Sequence, residues 1–354
     1  MEDRAPTPAG APGPLVDTDA LSRYLDDRMP GTGPFEVERH RAGHSNETFF
    51  LRRSGLEWVL RRPPRGAFLP TAHDVLREHR VLAALAETPV RAPRPLVACQ
   101  DPGVIGAPFY VMERAGGVVI RDRLPGYLEE DRGARARLGQ EMVDALVELH
   151  SVEWREMGLE GWGRPSGYLE RQLRRWSGQL ELTMPLTRPV PALVRVGEWL
   201  RAHLPRSGSS TIVHGDYKVD NVVFSPEPPA RLMAILDWEM STIGDPLADL
   251  GWLISFWHEP GEEVDESFEG FAPTRSPGFH SRDQLIDRYA RASGRDVEDL
   301  DFYHVLATWK LAILLEGSYA RHLAGVTDDP FFAKMEDGVP RLARRALEVA
   351  GVAP

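Results

Sequence analysis

Cysteine is almost missing from this sequence: among 354 residues there is one, Cys99. A single thiol cannot form a disulfide within the chain or build a cysteine-cluster metal site, so a reducing compartment is the expectation. Positive charge is also short, with 42 Lys and Arg against 53 Asp and Glu and a formal net charge of −11. That balance argues against a general nucleic-acid binder and against binding to an anionic membrane surface. Long apolar runs are lacking too. The longest near the C-terminus, Val305 to Ala320, is interrupted by Lys310 and Glu316 and falls short of the roughly 20 apolar residues that span a bilayer. It reads as a buried helix. Residues 1–14, MEDRAPTPAGAPGP, have no apolar segment of signal-peptide length; they read as a disordered tail, and the cytoplasm is the expected location. No internal repeat is visible.

What is present concentrates in Thr211 to Trp252, TIVHGDYKVDNVVFSPEPPARLMAILDWEMSTIGDPLADLGW. An apolar pair leads into His214-Gly215-Asp216, Asn221 follows Asp216 at a spacing of five, and a second apolar run, Met233 to Leu236, delivers Asp237. Two short strands would bracket a loop of polar residues. Asp and Asn are common turn caps, but this order has a chemical use. Phosphoryl transfer needs one carboxylate to orient and deprotonate a hydroxyl, and separate oxygen ligands to hold Mg²⁺ against nucleotide phosphates. In that scheme Asp216 is the base, Asn221 and Asp237 are the metal ligands, Lys218 neutralises charge on the transferred phosphate, and His214 is a scaffold for the loop.

The segment resembles the catalytic core of the aminoglycoside phosphotransferase family, and VHGDYKVDN with ILDWEMSTIGDPLADL is most similar to the branch found fused to, or beside, acyl-CoA dehydrogenases. The resemblance implies an α+β, bilobal, protein-kinase-like fold. It implies an N-lobe over 15–112, a hinge at 113–118 and a helical C-lobe over 119–354, with ATP and Mg²⁺ as cofactors. One departure is that Trp238-Glu239 follows Asp237, which leaves Glu239 as an extra carboxylate of unassigned role.

Within such an N-lobe, the turn between strands at 35–41 and 48–53 would lie over the phosphates, with Ser45 and Asn46 as contacts. The next strand, Leu56 to Arg61, ends where protein kinases carry a lysine. Arg61 is the match by register, with Arg62 the alternative, and Glu78 on a helix over 71–86 is the expected partner. Adenine would meet the backbone near Glu113 and Ala115, where paired glycines follow a compact apolar strand.

Beyond the hinge, helices are expected over 135–150, 282–293, 302–322 and 331–350, with a Gly- and Pro-rich loop over 260–280. The basic helix in 158–182, containing Arg171 and Arg174, reads either as a solvated charged face or as a contact for an anionic substrate. The expected partner is a small-molecule hydroxyl acceptor, a hydroxyacyl-CoA or related metabolite. For an acceptor of that charge, Arg171, Arg174, Lys310 and Arg321 are the available cations. An aminoglycoside acceptor and a nucleotide-binding pseudokinase acting as a partner-binding module are the rivals. The sequence is silent on oligomeric state.

Overall fold

Strand-forming residues dominate the first part of the chain, and a computed structural model arranges them as a sheet. The structure describes residues 15–40, 46–65, 74–121, 123–206, 208–265, 267–268, 272–327 and 329–353. It divides into two compact units. The first comprises the described residues up to Arg80 together with Arg94–Arg114, and the second comprises Val81–Pro93 and the chain from Ala115 onward.

In the first unit, α1 (Thr18–Leu25) begins at Asp17, whose carboxylate accepts the N–H groups of Asp19 and Ala20 and so caps the helix. Strands β1 (Glu36–His40), β2 (Glu47–Arg53) and β3 (Leu56–Arg62) follow, then α2 (Val75–Leu85), β4 (Pro95–Cys99) and β5 (Phe109–Glu113). The strands form an antiparallel sheet in the order β1-β2-β3-β5-β4. Ser54 and Gly55, both at positive φ (51° and 77°), make the tight β2–β3 turn and set its register. One sheet face packs Leu51, Leu60, Phe109 and Val111 against Leu21 and Leu25 of α1, with Cys99 buried among them. The thiol is therefore a core group.

Successive residues of a strand point to opposite faces, and this separates the two arginines that end β3. Arg61 pairs with Glu78 of α2 at 2.7 Å, with side-chain exposures of 9% and 1%. Arg62 instead donates to the backbone carbonyls of Leu15 and Ile105. Removing one partner of a buried ion pair strands the other charge, so Glu78→Ala is expected to destabilise the first unit by about 3–5 kcal/mol. A urea midpoint unchanged from wild type would contradict this.

The second unit holds α3 (Gly126–Glu130), α4 (Arg132–His150), α5 (Tyr168–Thr183) and α6 (Pro191–Ala202) before its short strands. These are β6 (Thr211–Val213), β7 (Val222–Phe224), β8 (Leu232–Ile235) and β9 (Thr242–Gly244), followed by α7 (Leu247–Ser255), α8 (Arg282–Ser293), α9 (Leu300–Leu323) and α10 (Met335–Val349). β6 pairs with β9, and β7 with β8, both antiparallel. The α+β reading thus holds: a sheet in one unit, and helices with two small hairpin-like ladders in the other. Gly251 lets α7 lie close on α9, since a Cβ there would come within 2.7 Å of the Tyr303 backbone. The Gly- and Pro-rich stretch after α7 is anchored where it is described: Glu262 pairs with Arg282 and Arg345, and Asp265 with Arg341. Among the described residues no helix is long and apolar enough to cross a membrane.

Candidate active site

The β6–β7 connection carries His214 to Asn221, and Asp237 lies two residues past the end of β8. Gly215 has φ +83°, and a Cβ on it would meet the Met240 carbonyl at 2.7 Å, so glycine is required for the loop to turn here. Tyr217 is buried and its hydroxyl donates to Met142 O of α4 at 2.7 Å, which ties the loop to the helical body.

His214 is fully buried, and both ring nitrogens have partners. Nε2 lies 2.8 Å from Leu236 O and must donate; Nδ1 accepts the Asp216 N–H at 3.2 Å. That pattern belongs to one neutral tautomer. The ring therefore braces the loop, with no nitrogen left over for proton transfer.

Below the loop, Asp249 of α7 accepts the N–H of His214 at 2.6 Å and of Gly215 at 2.7 Å. Burial opposes its ionisation, but the hydrogen bonds from His150 and from the Gly215 amide help outweigh burial and hold the carboxyl below its usual range. His150, itself buried and with its pKa pushed down by desolvation, donates Nε2–H to Asp249 at 3.3 Å and accepts the Tyr289 hydroxyl at 2.8 Å. Asp249 thus satisfies one buried and one half-buried amide of the loop.

Asp216 is held at both carboxylate oxygens. Oδ1 accepts the indole N–H of Trp252 at 2.8 Å, and Oδ2 accepts Nδ2 of Asn221 at 2.6 Å. Burial raises the pKa of this carboxyl, countered by the charges of Lys218 and Lys310. Lys218 lies 3.6 Å from Asp216 and 3.4 Å from Asp220. Burial works against its charge, yet these two carboxylates outweigh it and raise its pKa. Lys310 of α9 donates to Gly215 O at 2.7 Å, and its ammonium sits 4.0 Å from the Trp252 ring centroid.

Asn221 and Asp237 come together through the β7–β8 ladder, where Leu236 N donates to Asn221 O at 2.8 Å and Val222 faces Ile235. Asn221 also donates Nδ2 to Asp216 O at 2.9 Å, so Oδ1 is its remaining acceptor for a cation. Asp237 adopts φ +63°, a left-handed conformation uncommon outside glycine that turns the chain immediately after β8. One amide oxygen and one carboxylate fit Mg²⁺, which takes few protein oxygens and shares its shell with phosphates and water. Among the described residues no group of three or more His, Cys, Asp or Glu is arranged to hold a metal alone.

In the first unit, Ser45 lies outside the described residues, whereas Asn46 is buried at the start of β2. Arg61 meets Glu78 as expected by register. The Glu113 N–H is taken by Arg94 O at 2.9 Å, so it is not available as a donor to a base, and Ala115 belongs to the second unit. Two surface cavities in the second unit, one against His280, Gln284 and Arg288 and one against Trp199, His203 and Phe302, include none of the loop residues. Trp252, Asp249 and Lys310 are the residues whose contacts with the loop the motif reading did not foresee. The signal for Lys310 was a charge, like that of Glu316, interrupting a mostly apolar run, which made it a candidate cation but did not reveal its contact with Gly215.

Comparison with known proteins agrees with this geometry. The model of the phosphotransferase enzyme family matches residues 36–303. Acyl-CoA dehydrogenase family member 11 of Gallus gallus is 36% identical over 352 residues, covering 94% of this chain and 43% of that protein. Acyl-CoA dehydrogenase family member 10 of Mus musculus is 35% identical, covering 88% of this chain and 29% of that protein. The chain thus spans less than half the length of these curated relatives. A crystal structure from Ralstonia eutropha, provisionally named an aminoglycoside phosphotransferase, superposes with a TM-score of 0.81 at 32% identity, covering 95% of this chain and 98% of that one. Choline kinase from Cryptosporidium parvum shares the fold alone, with a TM-score of 0.65 at 11% identity over 96% of this chain and 98% of that one. The chain belongs to the phosphotransferase enzyme family, the kinase-like group that includes the aminoglycoside phosphotransferases.

Proposed function

We propose that this chain transfers the γ-phosphate of ATP, with Mg²⁺, to a hydroxyl group of an anionic small molecule, a hydroxyacyl-CoA or related metabolite. The observation that carries the reading is the Asp216 carboxylate, held at both oxygens by Trp252 and Asn221 beside the Asn221–Asp237 pair. Asp216 accepts the hydroxyl proton as the acceptor oxygen bonds to phosphorus and the bridging oxygen leaves with ADP. Lys218, fixed by Asp216 and Asp220, offers its charge to the transferred group. Asn221 and Asp237 would hold Mg²⁺, which when bound withdraws charge from the phosphate oxygens. In the first unit, Arg61, oriented by Glu78, is the proposed phosphate-binding cation, and its planar fork suits phosphate oxygens. Intact Asp216, Asn221 and Asp237 weigh against a pseudokinase.

Two observations support an anionic acceptor, the cations set among the carboxylates near Asp216 and the identity of the relatives. Lys218, Lys310 and Arg175 all act on this region, and the named relatives are acyl-CoA dehydrogenase family members. Of the other cations considered, Arg171 is bound to the carbonyls of Ser166 and Arg164, and Arg321 donates to the Ser318 hydroxyl. The Ralstonia eutropha neighbour keeps a second reading alive, an aminoglycoside acceptor. A polycationic substrate needs clustered carboxylates where an anionic one needs cations, and one pocket cannot favour both strongly. Hydroxyacyl-CoA thioesters are therefore expected to stimulate ATP consumption by the purified chain, and kanamycin-like aminoglycosides are not. Turnover with the aminoglycoside and none with any CoA ester would reverse the assignment.

A further inference from the structure

The base-holding residues form a chain of contacts that reaches beyond the loop motif. Both ends of the Gly215–Asp216 peptide are fastened: its N–H donates to His214 Nδ1 at 3.2 Å, and its carbonyl accepts Lys310 Nζ at 2.7 Å. The carboxylate beyond that peptide is aimed in part by the Trp252 indole N–H at 2.8 Å. Trp252 is itself held between Phe256, at 5.2 Å between ring centroids, and the Lys310 ammonium, at 4.0 Å. Lys310 thus touches both the peptide that carries Asp216 and the ring that orients its side chain. Reaching them takes a close α7–α9 approach, which Gly251 permits.

We propose that Lys310 is a positioning residue for phosphoryl transfer, locking the Gly215–Asp216 peptide and the Trp252 indole so that the Asp216 carboxylate faces the acceptor hydroxyl. This rests on the reading of Asp216 as the base. A cation over an indole is attracted by the ring face, and a cation also strengthens a hydrogen bond to a carbonyl. Both contacts weaken when the ammonium loses its proton. The charged groups acting on Lys310 are Asp216, Asp249, Arg175 and Lys218, and burial pushes its pKa down to about 8. Arginine keeps its charge at any working pH.

The test uses the purified full chain and its Mg·ATP hydrolysis with water as acceptor, which needs no identified substrate. Lys310→Met is expected to lower kcat by roughly a hundredfold, the scale of a misplaced reacting group, with Mg·ATP affinity by calorimetry within about twofold of wild type. Lys310→Arg should restore most of kcat and remove the fall in activity on the alkaline side of about pH 8. Trp252→Phe should also lower kcat, and adding Lys310→Met to it should cost less than Lys310→Met alone, since only the contact with the Gly215 carbonyl is then left to lose. A Lys310→Met variant that keeps more than a third or so of wild-type kcat, an alkaline limb unchanged in Lys310→Arg, or additive losses in the double variant would each overturn the inference. If Asp216→Asn retains full turnover, the reading of the base fails and this inference with it. If Asp216→Asn is inactive while Lys310→Met is active, only the inference fails.

Discussion

Asp216→Asn is expected to abolish most phosphoryl transfer while the fold and nucleotide affinity persist, with turnover reduced about a hundredfold or more, the usual contribution of a positioned general base. The geometry states what the substitution does locally. An ionised carboxylate accepts at both oxygens, here from Trp252 Nε1 and Asn221 Nδ2. An amide can accept at one end only, so its NH₂ group must face one of those donors. That mismatch costs about 1–3 kcal/mol, enough to lower an unfolding midpoint slightly and far too little to unfold the chain. Side by side, thermal unfolding, Mg·ATP calorimetry and turnover separate the effects. A variant that keeps more than about a tenth of wild-type turnover would refute the role of base.

Asp237→Ala is expected to remove Mg²⁺-dependent nucleotide binding, because it deletes the carboxylate nearest to Asn221 across the β7–β8 ladder. Backbone strain complicates the variant, since Asp237 sits at φ +63° and alanine is poorly suited to that region. Asparagine tolerates the left-handed backbone, so Asp237→Asn removes only the charge; both substitutions should lose metal-dependent affinity while Ala alone also loses stability. Titrations with Mg·ATP, and with ATP in the presence of EDTA, make the comparison. Unchanged affinity for the magnesium complex in both variants would move the metal ligand elsewhere, and Glu239 is the next carboxylate along the chain.

The proposed catalytic loop was legible because its information is local. His214, Asp216 and Asn221 lie on one short strand-flanked turn, where sequence spacing and spatial spacing are nearly the same, and the β7–β8 ladder brings Asp237 beside them. The α+β class followed from the family resemblance, and the helices expected over 282–293 and 302–322 followed from periodicity; Ser281 with Gln284 forms a capping box at the first of them. The scaffold role of His214 was inferred from the motif, and its ring contacts give that role a mechanism.

Tertiary structure decided what no local pattern encodes. Choosing between Arg61 and Arg62 required knowing which face of β3 meets α2: alternation separates the pair but does not say which side holds Glu78. Arg171 read as a candidate anion contact, yet its guanidinium closes its own loop onto the Ser166 and Arg164 carbonyls. A single helix, α2, contributes residues to both units, a division set by packing and invisible in its continuous helical pattern. Trp252 reaches Asp216 from α7, and Lys310 reaches Gly215 from α9, 95 residues further along the chain. The sequence by itself carried the chemistry proposed for the loop, because His214, Asp216, Lys218 and Asn221 sit within a few residues of one another. Only the fold determined how that chemistry is aimed, because the groups that hold a carboxylate in place arrive from distant helices through packing, and packing has no fixed spacing along a chain.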